Sequence, residues 1–315
     1  MTKEYQFEPI KETDFPEINV LAKMNGGNTN LSVEALNHQY LNNPSQSFSL
    51  WKVVRQNKIE GYATTNNFNF ILENKNIVVA MPQNVLVSET ARGAGLFGKL
   101  YNFTERQNRE EKGINTFLTF TNGMSTPIFI KKFGYLRGLC PDLIFYVSSI
   151  LFLNKDITYT LLESLSEIDF KNFAELTQLN NTLIKDIKYF NWRYKSYNTQ
   201  AIRILKISKE NKIIGFGILK VVKKKGLSFL LLMDIIAITP AYTFEVVNAC
   251  RHYCSKNIYA GLLLFKLADI EFPKSILKLT FKERFNFLVK GRNEIETIGL
   301  SKLNFNFYLG DMDSF

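Results

Sequence analysis

The chain has 315 residues, and a composition of 46% apolar and 22% charged residues is typical of a globular protein about two domains long. No apolar run approaches the roughly 20 residues of a membrane-spanning helix. The N-terminal sequence lacks the apolar core of a signal peptide, and three cysteines cannot build a disulfide framework. These features exclude a membrane-spanning or disulfide-rich class and favour a cytoplasmic protein.

The net charge of +10 is unevenly distributed. Residues 1–150 carry 15 Lys and Arg against 13 Asp and Glu, whereas residues 151–315 carry 24 against 16. A basic second half favours an anionic partner, which could be a nucleic acid, a membrane surface or a phosphorylated ligand. Charge alone does not choose among these three.

The hydrophobic periodicity of the first half predicts strands at 5–9, 48–55, 61–70, 77–87, 116–121 and 143–149, and helices at 16–24, 32–41, 94–112 and 126–133. In the helix at 94–112, apolar residues recur at helical spacing at Leu96, Phe97, Leu100 and Phe103. Gly113 fits a left-handed residue that ends this helix. Its charged side chains are expected to face water: Glu105, Arg106, Arg109 and Glu110.

An α/β pattern recurs about 150 residues further along the chain. Residues 40–63 contain an aromatic-ended helix, a strand, a polar Asn-Lys turn and a second strand, and residues 192–217 repeat this order. A longer apolar strand follows each copy. We therefore predict two tandem α/β (α+β) units, with domains at 1–150 and 151–315.

The segment most informative about chemistry is Val85-Leu86-Val87-Ser88-Glu89-Thr90-Ala91-Arg92-Gly93-Ala94-Gly95-Leu96-Phe97-Gly98. It combines the end of a strand with Arg-Gly-x-Gly at the start of a long helix. Glycines at 93 and 95 allow backbone N–H groups to converge, and a helix N-terminus attracts anions. The segment therefore predicts a pyrophosphate site, to which Arg92 can add a charged fork.

Three phosphate-binding interpretations compete for this segment. A dinucleotide fingerprint matches the spacing of Gly93, Gly95 and Gly98, but the following strand ends at Asn122 without the required acidic residue. A P-loop fails because Leu100 follows Lys99 where Ser or Thr is needed. The third interpretation is an acyl-coenzyme A site.

Together with Asn122 and with Lys132-Phe133-Gly134-Tyr135, the segment resembles the GNAT acyltransferase superfamily over residues 48–149. The resemblance implies a mixed, mostly antiparallel sheet in each unit, flanked by helices. It implies that the parallel fourth and fifth strands splay apart around the pantetheine arm of acetyl-CoA or another acyl-CoA. The implied acyl-CoA-binding residues are Val85, Leu86, Val87, Arg92, Gly93, Ala94, Gly95, Leu96, Phe97, Gly98 and Asn122.

Catalytic roles are less well defined than acyl-CoA binding. The resemblance makes the backbone N–H near Val87 the oxyanion donor. Asp142, just before the sixth strand, and Asp234, inside an apolar strand, are the candidate general bases. Two residues depart from the family pattern: Phe97 replaces a small residue, and Ile130 replaces a frequent general-acid tyrosine.

The second half resembles the same family through Asn191-Trp192-Arg193-Tyr194 and through residues 309–315. Its long strand is followed by Pro240 without an Arg-Gly-x-Gly turn, so we expect one acyl-CoA site, in the first half, and a degenerate second unit. We expect no metal, since Cys250 and Cys254 have no second Cys or His cluster. Tyr189–Lys195 alone resembles an RNA-stacking stretch, which makes nucleic-acid binding a minor alternative.

The sequence thus predicts an acyl-CoA-dependent N-acyltransferase. It would move an acetyl or other acyl group to a primary amine of a small acceptor within a ternary complex. Sugar-linked, nucleotide-linked and phosphorylated amines are the candidate acceptors. Two alternatives stay open: a non-catalytic coenzyme A-binding sensor, and an aminoacyl-tRNA-dependent ligase of related fold.

Overall fold

The computed structural model describes residues 5–25, 32–149, 152–163, 179–195, 201–268, 270–275, 277–282 and 284–312. The strands are β1 (Gln6–Pro9), β2 (Phe48–Arg55), β3 (Lys58–Leu72), β4 (Lys75–Val87), β5 (Thr116–Thr121), β6 (Leu136–Arg137), β7 (Leu143–Val147), β8 (Ile157–Leu162), β9 (Thr182–Leu183), β10 (Ile202–Lys209), β11 (Lys212–Lys224), β12 (Leu227–Ala237), β13 (Gly261–Phe265), β14 (Lys278–Phe281) and β15 (Asn286–Lys290). The helices are α1 (Phe15–Met24), α2 (Val33–Leu36), α3 (Leu96–Lys112), α4 (Thr126–Phe133), α5 (Ile187–Lys195), α6 (Thr243–Lys256) and α7 (Glu294–Ser301).

The described residues divide into two compact units. The first unit takes its residues from 1–70, 76–139 and 285–303, and the second from 71–75, 140–284 and 304–315. The two sheets have the strand orders β1-β2-β3-β4-β5-β15-β6 and β14-β7-β13-β12-β11-β10-β8. Each sheet is mixed and flanked by helices, which confirms the predicted fold class.

The same order of elements occurs in both units. In the first it is β2-β3-β4-α3-β5, and in the second it is β10-β11-β12-α6-β13. In each unit the helix connects two neighbouring parallel strands, β4 with β5 and β12 with β13. The remaining core strands pair antiparallel, as in β2 with β3 and β10 with β11.

Two strands do not follow the order of the chain. The sequence predicts 143–149 as the sixth strand of the first half, but β7 pairs with β13 and β14 in the second sheet. Conversely, β15 comes late in the chain and pairs with β5 and β6 in the first sheet. The apolar pattern of β7 is compatible with either sheet. Its apolar residues show that the strand is buried, but they do not identify the strand with which it pairs.

Helix α3 explains how the first core forms. Its residues Leu96 and Leu100 are buried against Val53 and Ala63 of the sheet. Gly113 ends the helix with φ of 67°, as predicted. The expectation that Glu105 faces water is wrong: it is 9% exposed.

The burial of Glu105 has a specific cause in the first unit. Lys290 of β15 places its Nζ 2.6 Å from Glu105 Oε1, and Arg109 places its Nε 3.0 Å from the same oxygen. Two cations therefore compensate the charge of Glu105. The sequence of the helix alone could not predict this, because β15 lies far away in sequence.

None of the helices that the structure describes is long and apolar enough to cross a membrane.

Candidate functional site

The bend between β4 and α3 is open to solvent in the first unit. Gly93 has φ of 89° and Gly95 has φ of 68°, so both lie in the left-handed region that favours glycine. A Cβ built at either position meets nothing within 4 Å. Gly95 forms the N-cap of α3 without a side-chain cap, so the first helical amides lack an acceptor from a capping side chain.

The start of the bend is fixed by a buried carboxylate that sequence analysis missed. Glu60 of β3 is 4% exposed and accepts hydrogen bonds from the hydroxyls of Ser88 and Thr90, while Arg55 lies 3.1 Å from its other oxygen. Burial raises the pKa of Glu60, but the hydrogen bonds from Ser88, Arg55 and Thr90 outweigh it and hold that pKa below its usual range. Glu60 is therefore an ionised anchor for the bend.

Beside the bend, β4 and β5 separate. Their parallel pairing is restricted to Val79 with Thr116 and Ala80 with Phe117. One step further, the Thr119 hydroxyl donates to the Pro82 carbonyl at 2.9 Å. The carboxyl-terminal half of β4, including the half-buried Val85 and Leu86, has no ladder partner on β5.

Arg92 lies in the bend and Asn122 directly follows β5, and each side chain has partners of its own. Arg92 donates to Glu89 Oε1 at 3.2 Å and to the Asn25 carbonyl at 3.3 Å, and about half of its side chain is exposed. Asn122 Oδ1 accepts from the backbone N–H groups of Met124 and Ser125 at 3.0 and 2.9 Å. Asn122 thus orients the turn into α4 and has only its Nδ2 group left to offer a ligand.

The other predicted residues of the segment divide between core and surface. Leu96 is buried, and Phe97 packs on the apolar clusters with its ring 6.0 Å from that of Phe133. The half-buried Phe97 side chain therefore packs toward the core. Ala94 is exposed, and at Gly98 an added Cβ would meet nothing within 4 Å.

A group of uncharged polar side chains on and beside β4 was not singled out by sequence analysis. The Tyr40 hydroxyl donates to Thr64 Oγ1 at 2.7 Å, and Asn84 Nδ2 donates to the Tyr40 oxygen at 3.2 Å. Gln39 donates to Gln83 Oε1 at 2.7 Å. No sequence motif marks these residues, because their proximity depends on how the helical turn Asn37–Leu41 and β3 pack against β4.

The three predicted catalytic groups do not all belong to one unit. Val87 is buried at the end of β4, and the next amide, of Ser88, donates to the Glu60 carbonyl. Asp142 is half-buried at the start of β7, and Asp234 is fully buried on β12, so both carboxylates belong to the second unit. The assignment of either as a base stays a prediction.

The second unit has the same diverging strand pair, but its own chain lies in the gap. Strands β12 and β13 pair only at Leu230 with Leu262 and Leu231 with Leu263. Asn306 Oδ1 accepts from the Ala268 amide just after β13. Gly310 lies against β12, where an added Cβ would be 2.6 Å from Asp234 Oδ2. Residues 306–310 thus contact both sides of the diverging pair.

Solved structures resemble this chain, although no protein-family model and no curated protein matches it. A GCN5-related N-acetyltransferase from Anabaena variabilis is 11% identical, with a TM-score of 0.71 over 95% of this chain and 75% of its own. A conserved protein of unknown function from Enterococcus faecalis, described as a probable N-acyltransferase, is 10% identical, with a TM-score of 0.70 over 94% and 74%. The chain has the GNAT fold.

A third solved structure extends the comparison. A GCN5-related N-acetyltransferase from Kribbella flavida is 12% identical, with a TM-score of 0.61 over 96% of this chain and 74% of its own. Identities this low establish the fold alone. The resemblance of residues 48–149 to GNAT proteins, first seen in the glycine-rich bend, is confirmed at the level of the fold.

Proposed function

We propose that this GNAT-fold protein is an acyl-coenzyme A-dependent N-acyltransferase whose acyl-CoA site lies in the first unit. The bend from β4 to α3 carries the proposal, because Gly93 and Gly95 leave open space in front of the first helical amides. Amides at a helix N-terminus bind phosphate well. The likeness to GCN5-related N-acetyltransferase structures supports the same conclusion.

The residues present fit an acyl-CoA. The amides of Arg92–Gly98 would hold the pyrophosphate, and Arg92 would exchange its contact with Glu89 for a phosphate oxygen. The unpaired edge of Val85–Val87 would pair with the pantetheine amides as an added strand does. Asn122 would contribute its Nδ2 group to the pantetheine arm.

The chemistry requires an amine that has lost its proton before it attacks the thioester, which supplies an activated acyl group. The backbone N–H near Val87 would stabilise the oxyanion. The described polar side chains on and beside the carboxyl-terminal half of β4, such as Tyr40, Gln83 and Asn84, are uncharged. We therefore assign the removal of the amine proton to water. The alternative bases are the two carboxylates predicted from the sequence, Asp142 and Asp234. Much of the rate would come from alignment of the two substrates.

The proposed acceptor is a primary amine on a small molecule, with sugar-linked and phosphorylated amines favoured by the basic second half. One acyl-CoA per chain is expected, because residues 306–310 lie in the gap of the second unit. Titration calorimetry with coenzyme A measures stoichiometry and affinity together, and we expect a stoichiometry near one.

A matched pair of glycine variants tests the site. Gly95 and Gly113 have nearly the same backbone, with φ of 68° and 67°, and open space around both, but they lie at opposite ends of α3. Gly95→Asp places a carboxylate where the phosphate should bind and should abolish coenzyme A binding measured by titration calorimetry. Gly113→Asp has the same backbone strain and should keep the wild-type affinity. Equal affinity in both variants would overturn the site assignment.

Turnover separates the enzyme from the alternatives. Release of free thiol from acetyl-CoA in the presence of a library of primary amines is the expected result. Tight binding without turnover on any amine would favour the coenzyme A sensor. Binding of tRNA with indifference to coenzyme A would favour the aminoacyl-tRNA-dependent ligase.

A further inference from the structure

The same pair of side chains recurs in the two units, on the long strand that precedes the crossover helix. Tyr40 lies eight residues before the start of β2, and Tyr194 lies eight residues before the start of β10. Each tyrosine hydroxyl is hydrogen-bonded to a polar side chain three residues before the end of the long strand, Asn84 in β4 and Asp234 in β12. Asn84 and Asp234 therefore hold equivalent positions in the duplicated fold.

Two further pairs of residues support this equivalence. Ser32 and Asp186 each lie eight residues before the tyrosine, and each side chain accepts a hydrogen bond from the amide three residues further on, at 3.1 and 2.7 Å. Gly61 and Gly215 are each the fourth residue of their strand. An added Cβ would lie 2.7 Å and 2.5 Å, respectively, from the carbonyl oxygen of the next-to-last residue of β4 and of β12. The two units can therefore be compared residue by residue in this region.

In the second unit, an amine of the chain itself binds at this position. Lys185 directly precedes the helix cap, its side chain is 7% exposed, and its Nζ forms ion pairs with Asp234 and Asp311. The corresponding residue of the first unit is Leu31, which has no side-chain donor. The first unit thus combines a neutral Asn84 in place of the carboxylate with a leucine in place of the amine.

The hydrogen bonds around Asn84 fix its amide and leave one acceptor atom for a ligand. The Thr64 hydroxyl donates to the Asn84 carbonyl at 3.2 Å, so the Tyr40 hydroxyl donates to Thr64 Oγ1 at 2.7 Å. The Tyr40 oxygen then accepts from Asn84 Nδ2 at 3.2 Å. No described group donates to Asn84 Oδ1, and the residue is half-buried on the part of β4 without a ladder partner on β5. Asn84 Oδ1 is therefore an oriented, uncharged hydrogen-bond acceptor.

We propose that the primary amine of the acceptor binds to Asn84 Oδ1 in the first unit, at the position that the Lys185 amine has in the second unit. This inference rests on the proposed N-acyltransferase function. Asn84 directly precedes Val85, the first residue of the strand edge assigned to the pantetheine arm, so the amine would bind next to the carrier.

A neutral amide suits this reaction better than a carboxylate does. A carboxylate favours the ammonium form of an amine, which has no lone pair for attack, whereas an amide oxygen accepts an N–H bond of the neutral amine. The nitrogen lone pair then forms the C–N bond to the acyl carbon while the C–S bond breaks. The proton that the nitrogen loses passes through water to the leaving thiolate. Asn84 thus orients the amine without removing its proton.

Asn84→Asp tests the proposal, because it introduces the carboxylate that the second unit has at this position. The measurement is the single-turnover rate of acetyl transfer against pH, at saturating concentrations of the most active amine of the library. The bound amine should stay protonated to higher pH, so the rise of the rate with pH should shift upward by about 1–3 pH units. The amine concentration for half-saturation should not increase. A purely structural defect would lower the rate at every pH without this shift.

Asn115→Asp is the matched control. Asn115 is half-buried and directly precedes β5, at the opposite end of the strand pair, so the same change of charge should leave the pH profile as in the wild type. An unshifted profile in Asn84→Asp, or an equal shift in both variants, would overturn the proposal. Coenzyme A affinity is measured by titration calorimetry and should be unchanged in Asn84→Asp, which separates this test from that of the carrier site.

The two tryptophans of the chain report on the units separately, because Trp51 lies in the first unit and Trp192 in the second. In a Trp192→Phe background, Trp51 fluorescence shows whether the first unit of each variant is folded.

Crystals of the wild-type protein soaked with coenzyme A and the most active amine provide a test that needs no variant. If no amine of the library reacts, the N-acyltransferase proposal fails, and the amine site is tested with glucosamine as the probe. The amine nitrogen should lie within hydrogen-bonding distance of Asn84 Oδ1. A clear map with the amine bound elsewhere, or with no bound amine, would overturn the site even if Asn84→Asp fails to fold.

Discussion

The hydroxyl of Tyr194 on α5 donates a hydrogen bond to the carboxylate of Asp234 on β12, and both groups are buried in the second unit. Lys185 forms ion pairs with Asp234 and with Asp311, and its Nζ lies 4.4 Å from the centroid of the Tyr308 ring. One buried cation thus serves two buried carboxylates. This imbalance makes the cluster sensitive to pH.

We predict that Asp234 makes the second unit less stable as pH rises. Burial, with repulsion from Asp311, outweighs the attraction of Lys185 and raises the pKa of Asp234 from 3.8 to about 6. The unfolded chain then ionises before the folded one, so stability present below pH 4 is lost as pH rises through about 6. The stability of Asp234→Asn relative to the wild type should increase by on the order of 3 kcal/mol over this window.

The measurement is urea denaturation followed by Trp192 fluorescence in a Trp51→Phe background at several pH values. Asp142→Asn removes a half-buried carboxylate outside the cluster and serves as the control for the loss of one carboxylate. A difference between wild type and Asp234→Asn that stays constant from pH 4 to pH 7 would contradict the prediction.

The local pattern of the chain determines elements better than it determines their partners. The periodicity of Leu96 and Leu100 and the glycine at 113 predict α3 closely, because these signals lie within one helix. The sheet that receives β7 does not follow from its sequence, since pairing with β13 depends on a strand more than a hundred residues away. Long-range pairing also explains the error at Glu105, whose partner Lys290 belongs to β15.

In the candidate site, too, local features could be predicted from the sequence and long-range contacts could not. The open glycine bend could be predicted because Gly93 and Gly95 are needed there for their left-handed backbone. Glu60 could not, because it has no motif and acts through Ser88, which follows β4 and is distant in sequence. Residues 306–310 in the gap of the second unit could not be foreseen either, since their position depends on tertiary packing against Ala268 and Asp234.

Two glycine-to-alanine variants should shift stability in opposite directions. At Gly310 an added Cβ would lie 2.6 Å from Asp234 Oδ2 and 2.9 Å from the Met233 carbonyl, and it would also contact the Tyr194 hydroxyl. We expect Gly310→Ala to destabilise the second unit by about 1–3 kcal/mol. Gly299, in helix α7 with nothing within 4 Å, should gain about 0.5–1 kcal/mol on the same change. Chemical denaturation of both variants checks the signs, and a stabilised Gly310→Ala would mean that the segment is not packed against β12.

Ile258 is predicted to destabilise the end of α6. It adopts φ of 58°, a conformation unfavourable for a β-branched residue, and its side chain is 92% exposed. Ile258→Gly should therefore raise the stability of the second unit by about 1 kcal/mol. The control is Ile295→Gly on α7, which is 81% exposed but helical and should lose about 1 kcal/mol. Loss of stability in both variants would show that the left-handed backbone at Ile258 carries no strain.

Glu60 should show a pH dependence opposite to that of Asp234. Its folded-state pKa lies below the usual 4.5, so it contributes stability above that pH and loses it on acidification. We expect Glu60→Gln to destabilise the first unit by about 1–3 kcal/mol at pH 7, and the deficit should shrink as pH falls below 4.5. Unfolding followed by Trp51 fluorescence in a Trp192→Phe background measures this difference.

The matched control for Glu60 is Glu89→Gln, which removes a carboxylate that is about two-thirds exposed and paired with Arg92 at the surface. Its stability should change by less than about 1 kcal/mol, because exposed ion pairs contribute little. Glu60→Gln should also weaken coenzyme A binding, since the Ser88 and Thr90 hydroxyls that fix the start of the bend would lose their charged acceptor. If the affinity for coenzyme A stays at the wild-type value while stability falls, Glu60 holds the sheet together and does not position the bend.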